Sequence, residues 1–178
     1  MQVFSLASTN LEEQRPTLPY NVLAFLAHQR NIIIVGLLIW QGLHSGELEK
    51  LEVNHINLNE GIIYIPSTAR SNSRALKLST QQILTLHSYI HGGTRDKAPQ
   101  PPKGEKDDFL FSGNMHNIAS ALTKELKGIN PQIKNALHIR ACVILHWLRQ
   151  YNKRQVQYMA RHNISTAQKC TRCRSWKH

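Results

Sequence analysis

The sequence predicts a mainly α-helical domain carrying one small antiparallel β-sheet, an α+β class, on three observations. Apolar residues recur at helical spacing in segments both before and after the middle of the chain, as in 20–41, 80–90, 115–127 and 141–160. The period shortens to two in one region only, between residues 61 and 78. Strands therefore do not alternate with helices along the chain, which excludes a doubly wound α/β sheet. At 178 residues the chain is long enough to bury most of its apolar surface as one domain.

Taken in order, 20–30 (YNVLAFLAHQR) and 31–41 (NIIIVGLLIWQ) read as two helices, the second apolar on nearly all sides and hence buried. Gly42 ends the second helix. Ser45 is the expected N-cap of a short helix over 46–51, with Glu47 and Glu49 in the first turn, where the helix dipole favours acids. The runs GIIYIP (61–66) and ALKL (75–78) are β-prone, and the polar segment 67–74 joins them as the basic tip of a two-stranded hairpin. Thr80 is the expected cap of a helix to residue 90. Residues 92–108 combine three Gly, three Pro and eight charges, which marks an exposed loop. Helices resume at 115–127, 141–150 and 153–160.

Charge is distributed unevenly. Residues 1–123 carry ten Lys/Arg and ten Asp/Glu, so the entire formal charge of +11 sits in 124–178, where Glu125 is the one acid. A one-sided basic segment with apolar residues threaded through it (Ile139, Val143, Ile144, Trp147, Val156) indicates folded helices presenting a cationic face to a polyanion. Nucleic acid is the first candidate and an anionic membrane surface the second. The apolar stretch 32–40 is about half of what a bilayer span needs, so it is a core element and no membrane partner is expected from it. The N-terminus lacks a basic region followed by an apolar run, and an odd count of three cysteines does not make a disulfide framework; both point to the cytoplasm.

Four segments, in this order, carry a resemblance to a known family. They are Leu37-Leu-Ile-Trp-Gln-Gly-Leu-His-Ser-Gly-Glu-Leu48 leading to Leu51-Glu-Val-Asn-His-Ile-Asn-Leu58, the hairpin 61–78 with its basic tip, Ile139-Arg-Ala-Cys-Val-Ile-Leu-His-Trp-Leu148, and Val156-Gln-Tyr-Met-Ala-Arg-His-Asn-Ile-Ser-Thr-Ala-Gln-Lys-Cys170. Together they resemble the catalytic domain of the tyrosine recombinase (phage integrase) family. The resemblance implies a catalytic-domain-like unit over 20–178, residues 1–19 as the remnant of an interdomain linker, and no N-terminal core-binding domain. It also implies DNA recombination or integration on a mobile element, double-stranded DNA as partner, and no cofactor, metal or small-molecule substrate.

In that family a tyrosine hydroxyl attacks a phosphodiester. Two arginines stabilise charge on the non-bridging oxygens, a hairpin lysine protonates the leaving oxygen, and histidines assist. By resemblance Arg140 falls on the second arginine position and His162 on the histidine before the nucleophile, with Arg161 where a glycine is usual. A structural histidine is the competing reading of His162. Arg70, or alternatively Arg74, stands at the hairpin lysine position; arginine binds phosphate there but is a poor proton donor. His44 occupies the first arginine position, where a single histidine donor replaces a bidentate clamp. Leu137 stands where the family has a histidine three residues before the arginine, His138 being one residue late. Cys170 falls at the nucleophile position, one residue short of the usual spacing from His162, and Tyr151 and Tyr158, out of register, read as core residues.

The resulting expectation is a DNA-binding protein of the recombinase type with impaired strand cleavage, touching DNA through Arg70, Arg74, Arg140, Lys153, Arg154 and Arg161. It acts with itself or with an active recombinase. The rival is a non-enzymatic DNA-binding or regulatory protein on the same fold. A third reading takes Cys170 and Cys173, a C-x-x-C, with His162 and His178 as a zinc site. A lone C-x-x-C among cations is a weak signal for that, and two incidental thiols are preferred.

Overall fold

The computed structural model describes residues 22–69, 71–92 and 108–161. The expected pair of N-terminal helices is a single one, α1 (Val22–Trp40). No proline or glycine stands at the expected break, and Asn31, which would have capped a second helix, instead accepts from the Arg30 guanidinium. Ile34, Leu37 and Leu38 on α1 are fully buried.

Gly42 then turns the chain at φ +59°, and the Leu43 N–H donates back to the Leu37 carbonyl at 3.2 Å. A Cβ at Gly42 would meet Val143 Cγ1 at 3.2 Å, so both the backbone and the packing require glycine. Gly42→Ala should destabilise the fold by about 1–2 kcal/mol, read as a shift in the urea midpoint. An unchanged midpoint would contradict that packing.

The short helix α2 is Ser45–Leu48, and its N-cap is His44, not Ser45. A 3₁₀ turn at Val53–His55 leads into β1 (Ile56–Asn57), β2 (Ile62–Ile65) and β3 (Arg74–Lys77), so the hairpin is the larger part of a three-stranded antiparallel sheet in the order β1-β2-β3. Its register pairs Ile56 with Ile63, Ile63 with Leu76, and Ile65 with Arg74. Alternation puts Ile63, Ile65, Arg74 and Leu76 on the buried face and Tyr64, Ala75 and Lys77 outside. Arg74, expected in the exposed tip, is thus the first residue of β3 and faces the core.

Helix α3 (Thr80–His91) is capped by Ser79, one residue before the expected Thr80, in a reciprocal box with Gln82. Gln82 and Gln41 exchange hydrogen bonds of 2.7 and 3.0 Å, which satisfies two buried amides and pins α3 to the end of α1. Helix α4 (Met115–Ile129) follows. Helix α5 (Ala136–Gln150) begins five residues earlier than expected, because Asn135 accepts from the His138 N–H and opens the helix there. Helix α6 (Lys153–Ala160) has the expected bounds, with Asn152 and Gln155 forming its capping box.

Helix α1 packs against α3, α4 and α5, α2 against α4, and α6 against α5 and β3. One apolar core joins Leu37, Leu43, Leu51, Ile63, Leu110, Trp147 and Val156. Tyr151 and Tyr158 are not core residues: they are 44% and 46% exposed, because both line an open cavity bordered by β3, α5 and α6. Most of the loop expected at 92–108, together with His162, Cys170 and Cys173, lies outside the described residues. No helix among the described residues is long and apolar enough to cross a membrane, and no His/Cys/Asp/Glu group among them is arranged to hold a metal.

Candidate nucleic-acid phosphate site

The most unusual group in the molecule is a fully buried carboxylate between two buried guanidiniums. Glu47 lies in α2 with no exposed surface. Its Oε1 accepts from Arg74 Nη1 at 2.5 Å and from Ser71 Oγ at 2.7 Å. Its Oε2 accepts from Arg140 Nη1 at 2.9 Å and from the His44 N–H at 3.1 Å. Four donors saturate the carboxylate, which is how a buried charge is made tolerable. Sequence alone accounted for Glu47 only as a first-turn acid.

Each partner arrives by a different local rule. The capping box that starts α2 turns the Glu47 side chain back on its own helix. The inward parity of β3 delivers Arg74. Thr68 and Ser71 close the hairpin tip through Thr68 N–H to the Ser71 carbonyl at 2.7 Å, which leaves the Ser71 hydroxyl aimed at Glu47. Arg70, between them, is outside the described residues. Arg140 comes from the second turn of α5, on the same buried stripe as Ile139, Val143, Ile144 and Trp147.

Arg140 is also a tether. Its Nη1 donates to the Gly42 carbonyl as well as to Glu47, and its Nη2 donates to the Ala160 carbonyl at 2.8 Å. It therefore ties the end of α1, α2 and the end of α6 together, two residues short of His162. Arg161 follows Ala160 at φ +48°, the left-handed conformation for which a glycine is the unstrained choice, with its guanidinium 4.5 Å from the Tyr158 ring centre.

The electrostatics follow from this packing. Burial by itself would raise the Glu47 carboxyl, but the Arg74 hydrogen bond and the charges of Arg140, Arg74 and His44 outweigh it and hold it at about 2. Burial lowers Arg140 from its ordinary value and the Arg74 charge adds to this, while Glu47 opposes both. One carboxylate against two guanidiniums leaves an excess positive charge in a low-dielectric site, which is what an anion receptor requires.

His44, which the family resemblance sets at the first arginine position, is engaged as a helix cap. Its Nδ1 accepts the Glu47 N–H at 3.2 Å as the N-cap of α2, and its Nε2 lies 3.7 Å from Glu47 Oε1. Leu137 is 67% exposed in the first turn of α5. Lys153 and Arg154 stand exposed in the first turn of α6. So the fold brings together His44, Arg74 and Arg140 and adds Glu47 and Ser71. A cavity of about 1000 Å³ opens elsewhere, between the end of α1, β3, α5 and α6, and none of those five residues lines it.

This fold is that of the tyrosine recombinase catalytic domain. XerA recombinase aligns at a TM-score of 0.61 with 22% identity, over 86% of this chain and 59% of that one. XerH site-specific recombinase, in its post-cleavage complex with palindromic difH substrate, aligns at 0.67 with 16% identity, over 94% and 47%. The Tn1549 transposon integrase in complex with transposon right end DNA aligns at 0.58 with 17% identity, over 86% and 60%. The chain thus spans 47% to 60% of the length of these three structures. No protein-family model and no curated protein sequence matches it.

Proposed function

We propose that this domain binds double-stranded DNA in recombination or integration, as XerH and the Tn1549 integrase bind theirs, and that it is impaired in cleaving it. One observation carries the reading. The hairpin, the α2 turn and α5 converge on a saturated buried carboxylate holding Arg74 and Arg140, an arrangement with net positive charge in a fold whose solved members include DNA complexes. The basic face continues on α6, where Lys153 and Arg154 sit at the helix end at which the macrodipole disfavours cations, a placement that an anionic partner compensates. Arg161 and the undescribed Arg70 extend the same expectation.

DNA affinity should fall steeply with salt, with a log–log slope of about −0.9 per phosphate neutralised. Lys153→Ala with Arg154→Ala should weaken binding to every duplex sequence alike and flatten that slope by about 2, since phosphate contacts position but do not specify. Fluorescence anisotropy across a salt series reads both. A salt-independent affinity, or no binding at low salt, would sink the proposal.

The second reading, a non-enzymatic DNA-binding or regulatory protein that pairs with itself or with an active recombinase, is favoured by one feature. His44 serves as a helix cap at the position where the resemblance calls for an arginine.

A further inference from the structure

Among the two buried guanidiniums, the open hydrogen-bonding edges are unequally distributed. Arg140 spends Nη1 and Nη2 on Gly42, Glu47 and Ala160, leaving Nε without a partner. Arg74 spends only Nη1, on Glu47, and both its Nε and its Nη2 are buried with no partner among the described residues. Nε–H and Nη2–H lie on one side of a guanidinium and form the side-on fork that matches two oxygens of a phosphate. A buried residue, 2% exposed, that leaves both prongs of such a fork unmet incurs a desolvation penalty that an oxyanion would remove.

From this geometry we infer that Arg74, reaching in from strand β3, supplies the second phosphate-binding guanidinium alongside Arg140, in place of the arginine that the chain lacks at His44. The inference rests on the DNA reading above and names the residue that does the binding. His44 cannot take that part, because its Nδ1 is an acceptor for the Glu47 N–H and an imidazole so held has no pair of donors to form a fork. Glu47 is the common anchor: it fixes Nη1 of both arginines on its two oxygens, so the edge of Arg74 away from Glu47 is the one left for the ligand. The ligand class is a phosphate oxyanion, in DNA a backbone phosphodiester.

The test uses inorganic phosphate as probe against the full chain. Millimolar phosphate, at fixed ionic strength set with chloride, should raise the thermal midpoint of the unmodified protein. His44→Asn, which keeps a capping side chain, should show the same rise. Arg74→Lys, which keeps the charge but has no fork, should weaken phosphate binding on the order of tenfold and lose the rise. Because Arg74→Lys also disturbs a buried ion pair and can fail to fold, the Nε–H resonance of Arg74 in the unmodified protein provides a second measurement. It should shift and exchange more slowly with solvent as phosphate is added.

A rise lost in His44→Asn, a rise kept in Arg74→Lys, or an Arg74 resonance that ignores phosphate would each overturn the inference. If the protein binds duplex in a salt-dependent way yet phosphate has neither effect, this inference alone fails. If phosphate has both effects but no duplex binds, the oxyanion site stands and the DNA reading falls.

Discussion

Glu47→Ala should destabilise the domain by about 3–5 kcal/mol at neutral pH, the largest single-site effect in the molecule. The substitution leaves Arg74 and Arg140 facing each other in a buried site with no counter-charge, and it strips acceptors from the Ser71 hydroxyl and the His44 N–H. It also removes the returning half of the α2 capping box. Urea unfolding at pH 7 reads the loss, and a change below 1 kcal/mol would mean that the two arginines relax to solvent or to other partners.

The same carboxylate predicts a pH dependence whose sign is fixed. Its folded pKa of about 2 lies below its ordinary value of 4.5, so deprotonated Glu47 contributes stability that is fully present above about 4.5 and is lost as pH falls through about 2. A depression of that size corresponds to about 3 kcal/mol. In an acid titration of stability, the unmodified protein should show this step and Glu47→Ala should lack it.

The second large effect concerns strand cleavage. Incubated with a nicked suicide duplex, the chain alone should give no covalent protein–DNA adduct. Loss of one oxyanion-stabilising donor costs on the order of 10²–10³ in rate. His44, held as the α2 cap, does not restore it. By the family resemblance, the nucleophile position holds Cys170, whose thiolate is a poor nucleophile towards phosphate esters. Restoring chemistry should need His44→Arg and Cys170→Tyr together, with one residue inserted after His162 to recover spacing. The His44 change should itself cost about 1 kcal/mol of helix capping. A wild-type adduct abolished by Cys170→Ser would overturn the impaired-enzyme reading, and one abolished by Tyr158→Phe would move the active-site register onto α6.

Much of the site was legible in pieces. Arg140 lies one residue before the helix expected at 141–150, so the apolar stripe of Ile139, Val143 and Ile144 takes it in only because Asn135 opens the helix earlier. The inward direction of Arg74 was also available: it shares parity with Leu76 and Leu78, both buried. The polar composition of 67–74 masks this, because the alternation that turns Arg74 inward begins inside that polar segment. The helix dipole gives Glu47 a sufficient local cause at the start of α2, and nothing in the neighbouring sequence signals its distant partners.

What the sequence by itself determined is therefore everything that depends on neighbours along the chain. That includes the helical and alternating periods, the Gly42 turn, the α6 bounds, and the one-sided charge of residues 124–178. What only the tertiary structure decided is which charges meet. Arg74 and Arg140 lie 27 and 93 residues from Glu47, and no local rule couples such separations. Their meeting is enforced by the cost of burying a charge alone: once the packing of α1, α2, β3 and α5 excludes water from that point, the carboxylate and its two guanidiniums are stable there only together.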